Sequence, residues 1–148
     1  MNQTAQQQNN IPDIHQTIII NAPIQEVWKV ISTSEGIAQW QMPNTLTSEL
    51  GAQFTFTSPP IQEWDGIIYS TLVEYNPPIK LSYTWKTNVI KEELMVTFEL
   101  EAKSDQTVLR LSHTGWSKCS SDKLFVRNML DKGWAENGLE NMKKIVEG

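Results

Sequence analysis

The sequence contains a single cysteine, Cys119, among its 148 residues. No intrachain disulfide can therefore form, and nothing in the composition requires an oxidising compartment. No uninterrupted apolar run reaches the ~18 residues typical of a membrane-spanning helix. Residues 1–13 are rich in Gln and Asn and lack the basic and apolar regions of a secretory signal, so we interpret them as a disordered polar tail. These absences together predict a cytoplasmic protein without a membrane span.

Positive charge is also scarce. The chain carries 12 lysine and arginine residues against 17 aspartate and glutamate residues, for a formal net charge of −5 at pH 7. Two of the basic residues are arginines, Arg110 and Arg127. Because nucleic-acid binding depends on neutralising phosphates with a basic surface, the sequence predicts no nucleic-acid partner.

The familiar motifs of catalysis and metal binding are missing. Two histidines and one cysteine occur without His-x-x-x-His or Cys-x-x-Cys spacing, so a tetrahedral metal site is not indicated. The sequence has no Gly-x-Ser-x-Gly elbow, no phosphate-binding glycine loop and no dinucleotide fingerprint. We therefore predict no metal and no cofactor, and the sequence favours a protein that is not an enzyme.

What is present is a clear order of strand and helix patterns. A short β-branched run at residues 15–20 predicts a strand, and the spacing of Ile24, Val27, Trp28 and Ile31 places them on one face of a helix. Ser34 is a plausible N-cap for a second short helix that ends near Trp40. Two short helices are therefore expected directly after the first strand.

From residue 45 the apolar period changes to two. Alternating apolar residues predict half-buried strands, among them Phe54 with Phe56, Leu81 with Tyr83 and Trp85, Leu94 with Val96 and Phe98, and Leu109 with Leu111 and His113. The long strand at residues 66–76 is apolar on both faces, so its inward face stays unassigned. The helical period then returns, and a long helix is expected from Ser121 or Asp122 to about Glu147, with Gly133 and Gly138 indicating a close approach or a bend. The prediction is an α+β fold formed by one domain, residues 14–148.

Four segments carry a resemblance to a known family: NAPIQEVWKVISTSEGIAQW, EYNPPIKLSYTW, TVLRLSHTGW and GWAENGLENMKKIVEG. In this order they resemble the START-like (SRPBCC) superfamily, in particular bacterial single-domain homologues of the C-terminal domain of the heat-shock-protein-ninety ATPase activator. The resemblance implies a helix-grip fold, in which a curved antiparallel sheet of about six to seven strands wraps around a long C-terminal helix. Across the superfamily, the enclosed cavity takes lipids, sterols, flavonoids or polyketides. Eukaryotic activators add an N-terminal client-binding domain, where this chain has only its Gln-rich tail.

The candidate ligand-binding residues are aromatic or neighbour the aromatic faces. They are Trp40, Phe56, Tyr69, Tyr83, Trp85, Phe98, His113, Trp134, Gly138 and Met142. A plain aromatic core is the alternative interpretation, because each large ring could bury ~150–250 Å² whether or not a ligand is present. His113 is expected to face inward, either as a hydrogen-bonded core residue or as a polar anchor for a ligand.

Three functions follow from this reasoning. The first is binding of a small hydrophobic molecule, aromatic, lipid or polyketide-like, between sheet and helix by a monomer or weak homodimer. The second is a cyclase or dehydratase that uses His113 with Tyr83 or Tyr69 on such a molecule. The third is an interaction module that stimulates a chaperone ATPase. The first two require a hollow beneath the C-terminal helix, and a solidly packed interior would leave only the third.

Overall fold

The computed structural model describes residues 10–148, which form a six-stranded sheet and the helices that cover it. The strands are β1 (Ile14–Ile20), β2 (Gln53–Thr57), β3 (Ile67–Asn76), β4 (Lys80–Trp85), β5 (Leu94–Lys103) and β6 (Gln106–Thr114). The helices are α1 (Ile24–Ser32), α2 (Ser34–Trp40), α3 (Leu124–Gly133), the π segment (Trp134–Leu139) and α4 (Glu140–Glu147), with 3-10 turns at Trp116–Lys118 and Ser121–Lys123. We call the continuous run of α3, the π segment and α4 the C-terminal helix.

The sheet is antiparallel throughout, with the strand order β1-β6-β5-β4-β3-β2. Side chains alternate between its faces, so Leu81, Tyr83 and Trp85 of β4 point together into the core. The register shifts between Leu72 and Glu74 of β3, and such an irregularity bends a strand. The predicted α+β helix-grip architecture is confirmed.

The folded domain begins before the predicted boundary at residue 14. Ile11 is buried, and one carboxylate oxygen of Asp13 accepts hydrogen bonds from the backbone N–H groups of Gly115 and Trp116 at 2.9 and 3.3 Å. Ile11 and Asp13 are therefore held by the folded domain, with Asp13 bonded to the two residues that follow β6. The rest of the predicted tail, residues 1–9, lies outside the described residues.

The junction between α1 and α2 is tight and fixes the direction of α2. The N-cap is Thr33 and not Ser34, because the Thr33 hydroxyl accepts a hydrogen bond from the Gly36 N–H at 3.0 Å. A Cβ atom on Gly36 would lie 2.3 Å from the carbonyl oxygen of Lys29, so this position requires glycine. The close packing directs Trp40, at the end of α2, into the core.

The C-terminal helix changes from α-helical to π-helical hydrogen bonding at its centre. The π segment has i→i+5 bonding, so each hydrogen-bonded loop encloses one more residue than in an α-helix, and the residues that face the sheet before and after it follow different spacings. Gly138 faces the end of α2, where a Cβ atom would lie 3.6 Å from a ring carbon of Trp40. The π segment and α4 are therefore the parts of the helix that meet α2. Within residues 10–148, no helix combines the length and apolarity needed to cross a membrane.

Candidate ligand-binding site

A cavity opens where the end of α2 meets the C-terminal helix. Its volume is about 210 Å³. The residues that line it are Trp40, Gln41, Met42, Ile68, Trp85, Leu130, Gly133, Trp134, Asn137 and Gly138. Three tryptophans, one from α2, one from β4 and one from the π segment, therefore supply its aromatic walls.

Hydrogen bonds fix two of these indole rings. The Trp40 Nε1–H donates to the carbonyl oxygen of Val30 at 2.6 Å, and the Trp134 Nε1–H donates to Nδ1 of His113 at 3.2 Å. The ring centroids of Trp40 and Trp134 lie 6.4 Å apart. Because both N–H groups already have protein acceptors, these two rings present apolar surface to the cavity.

His113 contacts two of the tryptophans that line the cavity, Trp85 and Trp134. Its side chain is fully buried, with ring centroids 4.7 Å from Trp85 and 5.2 Å from Trp116. Burial lowers the pKa of His113 to about 3, so the ring is neutral at physiological pH. A neutral ring whose Nδ1 accepts a hydrogen bond carries its proton on Nε2, and this N–H has no partner among the described residues.

The interior beneath the rest of the helix is filled by rings. Phe98 lies at the centre, with ring centroids 6.2 Å from Trp40, 6.1 Å from Trp134 and 6.4 Å from Tyr83. Phe56 packs on Tyr83 at 5.5 Å, and burial raises the pKa of the Tyr83 hydroxyl far above its usual value. The expected hollow is therefore confined to the end beside α2.

The ten predicted site residues fall into three groups. Trp40, Trp85, Trp134 and Gly138 line the cavity. Phe56, Tyr83, Phe98, His113 and Met142 lie in the core outside the lining. Tyr69 was wrongly assigned to the site: Ile68, Ser70 and Leu72 are the buried residues of β3, so Tyr69 faces outward and is 41% exposed.

Six lining residues were not predicted from the sequence. They are Gln41, Met42, Ile68, Leu130, Gly133 and Asn137. A signal for three of them was available, because Leu130 and Asn137 stand at positions −4 and +3 from Trp134 and so share its side of a helix. Gly133 stands three residues after Leu130 and four before Asn137, and so neighbours both on the helix surface. Ile68 belongs to the strand whose inward face the sequence left open, and Gln41 and Met42 lie in irregular chain after α2.

A comparison with models of protein families identifies the family of this chain. The model for "Activator of Hsp90 ATPase homolog 1-like protein" matches residues 21–147. The chain belongs to this activator-homologue family. The assignment agrees with the resemblance carried by the four sequence segments, and it accounts for the helix-grip architecture.

Solved structures of several other proteins share the fold. A Bacillus halodurans protein, BH1534, is 34% identical, with a TM-score of 0.75 over 92% of this chain and 97% of that one. A Mesorhizobium loti protein, MLL2253, is 21% identical, with a TM-score of 0.79 over 92% and 97%. An HSP90 activator from Plasmodium falciparum is 18% identical, with a TM-score of 0.69 over 90% and 95%. No curated protein matches the sequence.

The acid–base groups expected of a cyclase do not meet in this family member. Tyr69 lies on the outer face of the sheet, and neither Tyr83 nor His113 is among the residues that line the cavity. A His with a pKa near 3 and a tyrosine whose pKa is raised are both poor proton carriers at pH 7. The geometry therefore gives no support to the combination of His113 with either tyrosine.

Neither a metal site nor a reactive thiol adds to the chemistry. No group of three or more His, Cys, Asp and Glu side chains within residues 10–148 is placed to hold a metal ion. Cys119 is buried, and its burial together with the charge of Glu92 raises the pKa of its thiol to about 11. The thiol is therefore protonated and weakly nucleophilic at pH 7.

Proposed function

We propose that this protein binds a small aromatic molecule in the tryptophan-walled cavity. The observation that carries the proposal is the cavity of about 210 Å³ between Trp40, Trp85 and Trp134, in an interior that is otherwise closely packed. The rings at this opening expose apolar surface to solvent. A ligand that covers this surface removes it from water, which is favourable by about 25 cal/mol per Å².

The cavity's size limits the class of ligand. The volume of about 210 Å³ lies below the ~300 Å³ at which the usual range of ligand pockets begins, so the cavity suits a compact molecule on the scale of a bicyclic ring. Among the predicted ligands, compact aromatic molecules fit this volume and long lipid chains do not.

We also propose that the protein binds its ligand in the cytoplasm. The buried, protonated thiol of Cys119 is compatible with that location.

A filling variant tests the proposal. Gly133 lines the cavity in a right-handed helical conformation, and a Cβ atom there would meet nothing within 4 Å among the described residues. We expect Gly133→Leu to fold, to occupy the cavity and to abolish the rise in melting temperature caused by 1-naphthol. Lys132→Leu is the matched control, because residue 132 is exposed on the same helix and does not line the cavity.

The outcomes of this experiment are distinct. A shift in the wild type and in Lys132→Leu, and its loss in Gly133→Leu, supports binding in the cavity. An equal shift in all three proteins would place the ligand elsewhere and overturn the site. No shift in the wild type across a panel of bicyclic aromatic compounds would overturn the proposed function itself.

Stimulation of a chaperone ATPase is the second candidate. The family description favours it, and so does the exposed apolar surface of α3, where Phe125 is 65% and Met129 is 58% exposed. If this face docks on an Hsp90-type chaperone, the wild type should raise the chaperone's ATP turnover and the double change Phe125→Ser with Met129→Ser should abolish the increase. No increase with the wild-type protein would remove this candidate.

A further inference from the structure

The polar groups around the cavity are all neutral. Among its lining residues, taken from the described part of the chain, none is Asp, Glu, Lys, Arg or His. The polar side chains are the carboxamides of Gln41 and Asn137 and the indoles of the three tryptophans. A charged ligand would lose its hydration without gaining an opposite charge, so the cavity is suited to an uncharged molecule.

Gln41 stands at a fixed point beside this cavity. It follows Trp40 at the end of α2, and its backbone N–H donates a hydrogen bond to the carbonyl oxygen of Ile37 at 2.8 Å. Its neighbour Trp40 is anchored through the indole N–H to Val30. The backbone of Gln41 is therefore held in place, and its freedom is confined to the side chain.

The carboxamide oxygen of Gln41 is an unused acceptor. Oε1 is buried and has no hydrogen-bond partner among residues 10–148. Buried polar atoms in folded proteins almost always have a partner, so an exception at the wall of a cavity points to a group that arrives with the ligand. The terminal torsion of a Gln side chain is broad, so rotation about it can turn the buried oxygen toward the cavity.

Two of the three indole donors in the lining already have partners. The N–H groups of Trp40 and Trp134 are bonded to Val30 and His113, respectively. These two rings contribute flat apolar surface, and Gln41 contributes a polar group that can distinguish one flat molecule from another. Shape alone separates isosteres weakly, whereas a buried acceptor discriminates strongly against a ligand that leaves it unpaired.

We propose that the ligand of this cavity is an uncharged planar aromatic molecule that carries one N–H or O–H donor, and that the donor hydrogen-bonds to the Gln41 carboxamide. The inference rests on the proposed function and deepens it, because it names the feature by which the site selects among compact aromatic molecules.

Two probes of nearly equal shape test this selection. Indole carries an N–H donor, and benzothiophene has a sulfur atom in place of that N–H. Isothermal titration calorimetry of the wild-type protein should give about tenfold tighter binding of indole. In Gln41→Met, which keeps the side-chain length without the carboxamide, the two dissociation constants should become equal within a factor of about two. Indole-3-carboxylate should bind at least about tenfold more weakly than indole to both proteins.

Each outcome bears on one claim. If neither probe binds the wild type, the proposed function fails. If both bind equally well, the cavity is a binding site without a donor requirement, and the inference fails while the function stands. If the preference for indole persists in Gln41→Met, another group recognises the donor, and the role of Gln41 is overturned. Circular dichroism of Gln41→Met before titration shows whether a lost preference reflects unfolding.

Discussion

The two halves of the C-terminal helix are attached to the domain in different ways. Within residues 10–148, α3 has no buried residue, and its apolar side chains Phe125 and Met129 are more than half exposed. The π segment and α4 bury Trp134, Leu139 and Met142 against the core. The C-terminal half is therefore held by fully buried side chains, whereas α3 packs on the core through the half-buried Val126 and Leu130 and requires a further explanation.

Hydrogen bonds supply that explanation. The Arg127 guanidinium donates to the carbonyl oxygens of Pro12 and Asp13 at 3.0 and 2.8 Å, and it contacts the Asp131 carboxylate at 3.3 Å. The Gln16 amide donates to the carbonyl oxygen of Asp131 at 3.1 Å. We call these contacts the α3 clasp. Because single hydrogen bonds add little net stability, we expect α3 to open locally before the core does. Since Leu130 and Gly133 line the cavity, this opening would admit a ligand.

The sharpest test of the comparison replaces one leucine in each half of the helix. Leu139 is 2% exposed, and Leu124 is 44% exposed. Leu139→Ala should lower the free energy of unfolding by about 2–5 kcal/mol, because it leaves a cavity in the core, and Leu124→Ala should change it by less than about 0.5 kcal/mol. Urea denaturation measures both. Equal losses would show that α3 is packed as firmly as the rest.

The free energy of unfolding should depend on pH through His113, which is hydrogen-bonded to Trp134 at the boundary between the two halves. The folded-state pKa is about 3 and the unfolded value is 6.5, so below pH 6.5 the unfolded chain binds a proton that the folded one excludes. This group therefore reduces stability as the pH falls, by about 2 kcal/mol between pH 7 and pH 5.

Urea denaturation at both pH values, with His113→Leu as the variant, checks this expectation. The replacement removes the titrating group, so the stability lost on acidification should shrink by the amount given above. His15→Gln is the matched control, because it replaces the other histidine of the chain, whose side chain is exposed on β1. A loss on acidification that is the same in His113→Leu as in the wild type would contradict the assignment.

Breaking the α3 clasp should have a smaller and local effect. The Arg127 side chain is 14% exposed, and Arg127→Ala removes its contacts with residues 12, 13 and 131. Amide hydrogens of α3 should then exchange about fivefold to tenfold faster, which corresponds to about 1 kcal/mol, while those of α4 stay unchanged. Lys132→Ala is the control on the same helix. Faster exchange in both halves would mean that the helix opens as one unit.

The architecture could be predicted from the sequence because it depends on periodicity. Alternating residues such as Tyr83 and Trp85 mark a strand with one buried face, and the stripe from Trp134 to Met142 marks a helix. The side chains of β3 were harder to place because both faces carry apolar residues, and this is why Tyr69 could be named as a site residue while the inward face stayed unassigned. Its buried face is decided by pairing with β2 and β4, a long-range property.

The extent of the cavity could not be predicted for a different reason. The number of rings was visible in the sequence, but the space they leave depends on how Phe98 fits between Trp40 and Trp134. That fit depends on rotamers and on the π segment, whose extra residue no apolar pattern announces. Gln41 lies in irregular chain, where periodicity gives no signal. Residue types at the site were therefore predictable in part, and its boundary was not.

The smallest effect concerns the glycine at the end of α3. A Cβ atom on Gly133 or on Gly51 would meet nothing within 4 Å among the described residues, but Gly133 has φ of −63° and Gly51 has φ of +86°. Gly133→Ala should raise the free energy of unfolding by about 0.4–1 kcal/mol, because it reduces the freedom of the unfolded chain. Gly51→Ala should lower it by about 1 kcal/mol, since an L side chain is strained at that φ. Thermal unfolding measures the opposite signs, and a loss of stability in Gly133→Ala would show that the junction between the two halves needs a flexible backbone.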